Sequence, residues 1–348
     1  MPDFSKSRLT KLCIHKVGNK SKDESIILSE DYVKLDDERL TALLEKYYLK
    51  SFPKEEYHHF HHVSDPSMNT MAHFAETIFN DPDILLKQSK LIANYLFDKS
   101  THAGIKSGEL HIAYFSGCIV DDEEVNAIGI FKSENKSRFL KISPSSPSFD
   151  VRFDEGIDVH KLDKGCFIMN TEKESGYIVC IVDQTNKSGE AAFWKDDFLG
   201  VTPITDDFFH TQNYLKMCTG FVSERLKPEK ELSRAEEIDL LHQSINFFQE
   251  NENFSFEDFT QEVIKEPEII DAFVDYKNSY QEEKNMVIAD SFDISPVAIK
   301  SSKKFIKSVI KLDKNFHIYV HGNKDYIEKG FDEDKGLNYY KVFFENEE

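Results

Sequence analysis

Apolar and polar residues alternate in the opening segment TKLCIHKV, which predicts a strand over residues 10–17 with Leu12, Ile14 and Lys16 on one face and Cys13, His15 and Val17 on the other. A polar loop from Asn19 to Glu24 and a short Ile-Ile-Leu run follow, giving a hairpin-like start. The period then changes. Leu40, Leu43, Leu44, Tyr47 and Tyr48 recur every three or four residues behind Asp36, Asp37 and Glu38, so a helix is predicted over 36–50 with acids at its positive end. Two more helices are predicted: one over 69–79 with Met71, Phe74, Ala75 and Ile78 inward, and one over 84–98 with Leu85, Leu91, Ile92, Tyr95 and Leu96 inward. Pro82 between them suits a break or a first helical turn. From Gly108 the β-favouring runs GELHIAYFSG, VNAIGIFKSE and SRFLKIS are divided by acidic or polar turns, as in an antiparallel meander.

Two Pro and four Ser in SPSSPS, residues 143–148, interrupt this pattern. A domain boundary is placed there, dividing an N-terminal α+β domain, 1–145, from a C-terminal α+β domain, 146–348; an ordinary turn between strands fits the same residues. Beyond it, FDVRF, GCFIMN and GYIVCIVDQ read as strands of a second sheet or an extension of the first. About 206–285 is helical by period, with a capping-box spacing from Ser233 to Glu236 and Pro267 in a first turn. Strands return in FIKSVIKL, FHIYVH and YYKVFF. The fold class expected is therefore α+β: two modules of antiparallel sheets with packed helices, and a helical segment inserted in the second.

The length of 348 residues suits about two domains. Apolar residues make up 40% of the chain, with 29 Phe and 14 Tyr, enough to form a core and to exclude wholesale disorder. The apolar runs, typified by Tyr177 to Val182, fall far short of the roughly 20 residues a membrane helix needs, and the N-terminus lacks the apolar region of a secretory signal. No membrane association is expected, and the cytoplasm is the expected compartment. Five Cys without a CxxC pair read as reduced thiols.

The net charge of −20 argues against a polyanionic partner until its distribution is examined. Residues 229–290 hold 17 acids against 5 bases. Their apolar stripe, Ile238, Leu241, Ile245, Phe248, Phe259, Val263, Ile269, Phe273 and Tyr276, reads as core, leaving the acids as a solvated face. The sign flips over 299–314, where Lys300, Lys303, Lys304, Lys307, Lys311 and Lys314 face only Asp313. As strand or as helix, these six lysines gather on one side, and they are the candidate DNA-backbone contacts; a plain solvated face is the competing reading.

Catalytic signatures fail. No phosphate-binding Gly loop, nucleophile elbow, HExxH or calcium loop occurs. In YHHFHH the spacing would put His59 and His61 on one strand face, and His58 and His62 on the other. A closed zinc site needs two separated ligand pairs and the cluster supplies one, so no metal and no cofactor are expected, and the bland reading is an edge strand with solvent-facing His.

The C-terminal segment VIKLDKNFHIYVHGNKDYIEKGFDEDKGLNYYKVFF, together with LDKGCFIMN at 162–170, GELHIAYF at 108–115 and CIHKV at 13–17, resembles the bacterial NdpA-like nucleoid-associated protein family across nearly the whole chain. The resemblance implies a protein of the bacterial nucleoid that binds double-stranded DNA and is linked to type II topoisomerase partners; the missing catalytic signatures make a non-enzymatic role the expectation, and contacts to the phosphate backbone would give little sequence specificity. The resemblance carries no set of binding residues. Two other readings stay open: an adaptor whose acidic helices contact a basic partner, and a metal-dependent hydrolase built on the His cluster.

Overall fold

The computed structural model describes residues 2–52, 56–185, 193–226, 234–284, 286–302, 309–313, 315–319 and 326–346. The fold is α+β. Its β-favouring runs form one eight-stranded antiparallel sheet in the order β10-β3-β9-β8-β5-β4-β1-β2. In chain order these strands are β1 (Arg8–Val17), β2 (Ile26–Ile27), β3 (Tyr57–Phe60), β4 (Gly108–Val120), β5 (Glu123–Ser133), β8 (Lys164–Met169), β9 (Ile178–Asp183) and β10 (Val201–Pro203), while among the described residues β6 (Ser137–Ser145) and β7 (Ser148–Gly156) pair only with each other.

Strand periodicity sends alternate side chains to opposite faces, and both faces are covered. Leu110, Ile112, Ile128, Ile130, Cys166, Ile168 and Val179 pack against helices α2 (Thr70–Asn80) and α3 (Leu85–Lys99) and a π-helical turn, Phe193–Leu199, that carries the only Trp. On the other face Ala113, Phe115, Phe131, Phe167 and Cys180 meet Tyr47 and Tyr48 of α1 (Glu38–Leu49). This double burial explains why the central strands are near-continuous apolar runs. Tyr48 stacks on Phe131 at 4.2 Å. The Phe131 ring lies over Gly129, where an added Cβ would stand 2.4 Å from it, so the strand-weakening glycine makes room for the aromatic layer.

Asn69 starts α2. Its Oδ1 accepts from the N–H groups of Met71 and Ala72, while its Nδ2 donates to the carbonyls of His61, Leu199 and Gly200. One residue thus caps the helix and ties it to the chain beside β10. Asn69→Ala is expected to cost about 1–2 kcal/mol, read as a lower urea midpoint by Trp194 fluorescence.

The chain forms two compact units, residues 1–204 and 205–348, so the division falls after β10 rather than at 145/146. The SPSSPS segment is the tip of the β6–β7 hairpin, with Ser145 opposite Ser148. Ser and Pro mark a tight turn there as readily as a linker. GCFIMN and GYIVCIVDQ continue the first sheet by pairing β8 with β5 and β9 with β8.

The second unit is built on helices. Helix α4 (Asp207–Gly220) runs into a π-helical turn, Phe221–Leu226; α5 (Arg234–Glu250), α6 (Phe256–Phe259) and α7 (Pro267–Lys284) follow, and a short strand β11 (Asn253–Ser255) pairs with β12 (Ser291–Asp293). Its core is aromatic: Tyr214, Phe221, Phe247, Phe248, Phe254, Phe259 and Phe273. Of the apolar stripe expected in the acidic stretch, Ile238, Leu241, Ile245, Phe248, Phe259, Val263 and Phe273 are buried and Ile269 and Tyr276 half-buried. Glu250, Glu252, Glu257, Asp258, Glu262 and Glu266 point to solvent.

Candidate nucleic-acid interface

The C-terminal β segments form two hairpins rather than one sheet. Strand β13 (Val309–Leu312) pairs with β14 (Phe316–Tyr319), and β15 (Ile327–Asp332) with β16 (Leu337–Val342). Both rest on the start of α5, where Ala235, Ile238 and Ile310 are buried and Leu312, Ile318, Ile327 and Tyr340 pack around them. Small hairpins have little core of their own, so this apolar contact is what orients them.

Between the hairpins lies a groove of about 980 Å³ lined by Arg234, Lys311, Phe316, Lys329, Asn338 and Tyr340. Register sets its chemistry. Lys311 stands opposite His317, and Lys329 opposite Tyr340. Lys311 and Lys329 are exposed and have no carboxylate within ion-pair distance among the described residues. Arg234 Nη1 instead donates to Glu237 Oε2 at 2.5 Å, on the buried side of α5. Phe316 is 65% exposed. Unpaired ammonium groups beside accessible aromatic rings suit phosphates and the faces of bases or sugars.

Of the six expected lysines, Lys300 is exposed on α8 (Pro296–Ser302), and Lys311 lies on β13. Lys303, Lys304, Lys307 and Lys314 lie outside the described residues. Lys329 and Arg234 went unseen in the sequence. Lys329 is surrounded by Glu328, Asp332, Glu333 and Asp334, so any local charge count hides it, and only cross-strand register brings it to the groove. Lys277, by contrast, is not a solvated lysine. It is buried, paired with Asp290, and its Nζ lies 4.6 Å from the centre of the Phe256 ring.

The His cluster is dispersed. β3 is not an edge strand; it pairs with β10 on one side and β9 on the other. His58 points inward and burial, aided by the Lys195 charge, pushes its pKa down to about 3. His59 faces the opposite side, with Nε2 2.9 Å from Glu172 Oε2. Among the described residues, no group of three His, Cys, Asp or Glu side chains is placed to hold a metal ion.

A denser polar constellation sits at one end of the large sheet. Lys132 and Lys164 are direct cross-strand neighbours on β5 and β8. Lys132 Nζ donates to Glu134 Oε1 at 2.9 Å and to the Lys106 carbonyl at 2.7 Å, and Lys164 Nζ to Asp183 Oδ1 at 2.9 Å. Glu134 Oε2 lies 3.7 Å from Lys164. Burial pushes the Lys132 pKa down and Glu134 opposes the shift. With every charge answered, this network holds the strands together.

The architecture is thus that of a mixed sheet-and-helix body joined in sequence to an acidic helical unit that carries a basic, aromatic hairpin groove. Residues 13–335 match the family described as nucleoid-associated protein YejK, and the chain belongs to that family. No curated relative matches the chain in sequence. Among the described residues no helix is long and apolar enough to cross a membrane.

Proposed function

We propose that this nucleoid-associated protein binds double-stranded DNA without base readout, through the lysines of 300–314 joined by Lys329, and that it acts non-enzymatically in the cytoplasm beside a DNA topoisomerase. The observation that carries the reading is the groove itself: Lys311 and Lys329 exposed next to Phe316 and Tyr340, in a chain of net negative charge. Screening limits each exposed charge to about 8 Å at physiological ionic strength, so a local cationic group can grip phosphates even though the chain carries −20 overall. The Glu-rich helices repel a duplex and favour orientations that keep them away from it. Membership of the family supports the nucleoid setting, and the resemblance supports the topoisomerase link.

Gel shifts over a range of salt test the reading. Each neutralised phosphate contributes about 0.9 to the slope of log affinity against log salt, so Lys311→Glu with Lys329→Glu should lower the slope by about 2 for all duplex sequences alike. Changing Lys265 and Lys284, both exposed on the acidic face, should do little. Equal losses from both pairs would indicate general charge, and an unchanged slope in the first would move the DNA site elsewhere. Absence of duplex binding by the pure protein would favour the adaptor reading, in which the exposed carboxylates meet a basic partner. Relaxation assays with a purified type II topoisomerase, with and without the chain, check the remaining part.

A further inference from the structure

Register sorts the side chains of the β15–β16 hairpin into two unlike faces. Lys329 stands opposite Tyr340 and Phe331 opposite Asn338, so these four share one face. Glu328 and Asp332 alternate with Lys329 and Phe331 along β15 and fall on the other. A segment that reads as acidic in sequence thus gathers a cation, two aromatic rings and an amide, with no carboxylate among them. Phe331 is 58% exposed. Across the groove the β13–β14 hairpin adds Lys311 and the open ring of Phe316. Asp313, in the turn beside them, is the one carboxylate of the lining among the described residues.

The size of the groove decides what can enter it. Its volume of about 980 Å³ equals a cube roughly 10 Å on a side, whereas the major groove of a duplex is by itself about 12 Å wide, so a duplex can lie only across the mouth. The same volume is at the upper end of the ~300–1,000 Å³ that holds a drug-sized molecule, which in nucleic acid is about two unstacked nucleotides. Open rings beside unpaired ammonium groups are what a single strand requires, since each base offers a face for stacking and each nucleotide a phosphate.

We propose that the groove takes an unpaired stretch of DNA about two nucleotides long, and that the DNA this protein prefers is a duplex interrupted by such a stretch. The inference rests on the groove being the DNA site and narrows what enters it. Lys311 and Lys329 come from different hairpins, so they meet the phosphates of a strand laid between them, while a base stacks on Phe316. Stacking accepts every base, and the Asn338 amide, donor and acceptor at once, can answer any base edge. Binding without sequence preference is the consequence.

Fluorescence anisotropy of the full chain with three DNAs of one sequence tests the proposal. They are an intact duplex, the same duplex with a two-nucleotide gap in one strand, and the gapped duplex with abasic sugars in place of the two unpaired bases. One stacked base is worth roughly 5- to 150-fold in affinity, so the gapped duplex should bind at least ~5-fold more tightly than the intact one. The abasic gap keeps the flexibility and lacks a base to stack, and should match the intact duplex within about twofold. Phe316→Ala should abolish the preference without weakening the intact duplex more than about twofold, and Phe316→Tyr, which keeps a ring, should retain it. Equal binding of intact and gapped duplex would overturn the inference and leave the groove as a backbone contact. A preference shared by the abasic gap would assign the effect to DNA flexibility, and one untouched by Phe316→Ala would assign it to another part of the chain; either result also overturns it. If the wild-type chain binds none of the three, the reading of the groove as a DNA site falls and the inference with it.

Discussion

Acidification from pH 7 to pH 5 is expected to remove about 6 kcal/mol of stability from residues 1–204, a large share of the ~5–15 kcal/mol a domain possesses. Three histidines cause it. His15, His58 and His111 are each at most 3% exposed, and burial pushes their pKa values down to about 4, 3 and 4. The hydrogen bonds of His15 and His111 suit the neutral ring. His15 Nδ1 accepts from the Ser29 N–H, so Nε2 carries the proton and donates to Ser89 Oγ, which in turn donates to the Leu86 carbonyl. His111 Nδ1 accepts from the Tyr48 hydroxyl. The folded pKa values lie below the unfolded ~6.5, so between about pH 6.5 and 4 the unfolded chain binds more protons and stability falls as pH falls, by about 2 kcal/mol per histidine between pH 7 and 5. Urea unfolding followed through Trp194, 1% exposed within this unit, should show the steepest loss between pH 6 and 5. His58→Phe should flatten that slope by one proton. A midpoint independent of pH over this interval would contradict the burial of these rings.

Replacing Glu134 by Gln is expected to cost about 3–5 kcal/mol, because it leaves buried ammonium groups without their shared anion. Lys132 and Glu134 side chains are 0% and 4% exposed, and Lys164 9%. Asp183 answers Lys164, but Lys132 keeps only the Lys106 carbonyl. A unit of this size should then melt roughly 10 °C lower, at about 2–4 °C per kcal/mol. The pH signature has a definite sign. With Glu134 neutral, Lys132 falls further below its unfolded pKa, so the folded state binds fewer protons and the deficit shrinks as pH rises toward 10. Pairing Glu134→Gln with Lys132→Met should restore most of the loss, since no uncompensated charge remains inside. A single variant as stable as the parent would mean that water reaches these groups.

Much of the fold was written locally. Cys13, His15 and Val17 share the α3-facing side of β1 as their alternation indicates, and Met71, Ala75 and Ile78 are buried on α2 as their spacing indicates. What could not be read is pairing between distant segments. Nothing in YHHF reveals that β3 lies between β9 and β10, and so His58, expected to be solvent-facing, is interior. The same limit applies to charge. Lys132 and Lys164 lie far apart in the chain, and only register makes them neighbours inside the protein. In the candidate site, the excess of lysine after 299 was legible as composition. The placement of Lys329 and Tyr340 beside Lys311 depends on two hairpins docking on α5, and Lys329 sits among acids that mask it.

All five thiols are buried, four in the first unit at Cys13, Cys118, Cys166 and Cys180, and one, Cys218, in the second. Burial pushes the pKa of each of them up, so as long as a unit is closed its sulfurs are protonated and out of reach. The molecule therefore carries its own opening clock. Alkylation under native conditions proceeds only through molecules that have transiently opened, and peptide mapping of the labelled sulfur tells which unit did so. Cys218 labelled ahead of the other four would rank the helical unit as the less stable, from a reaction that needs no engineered probe.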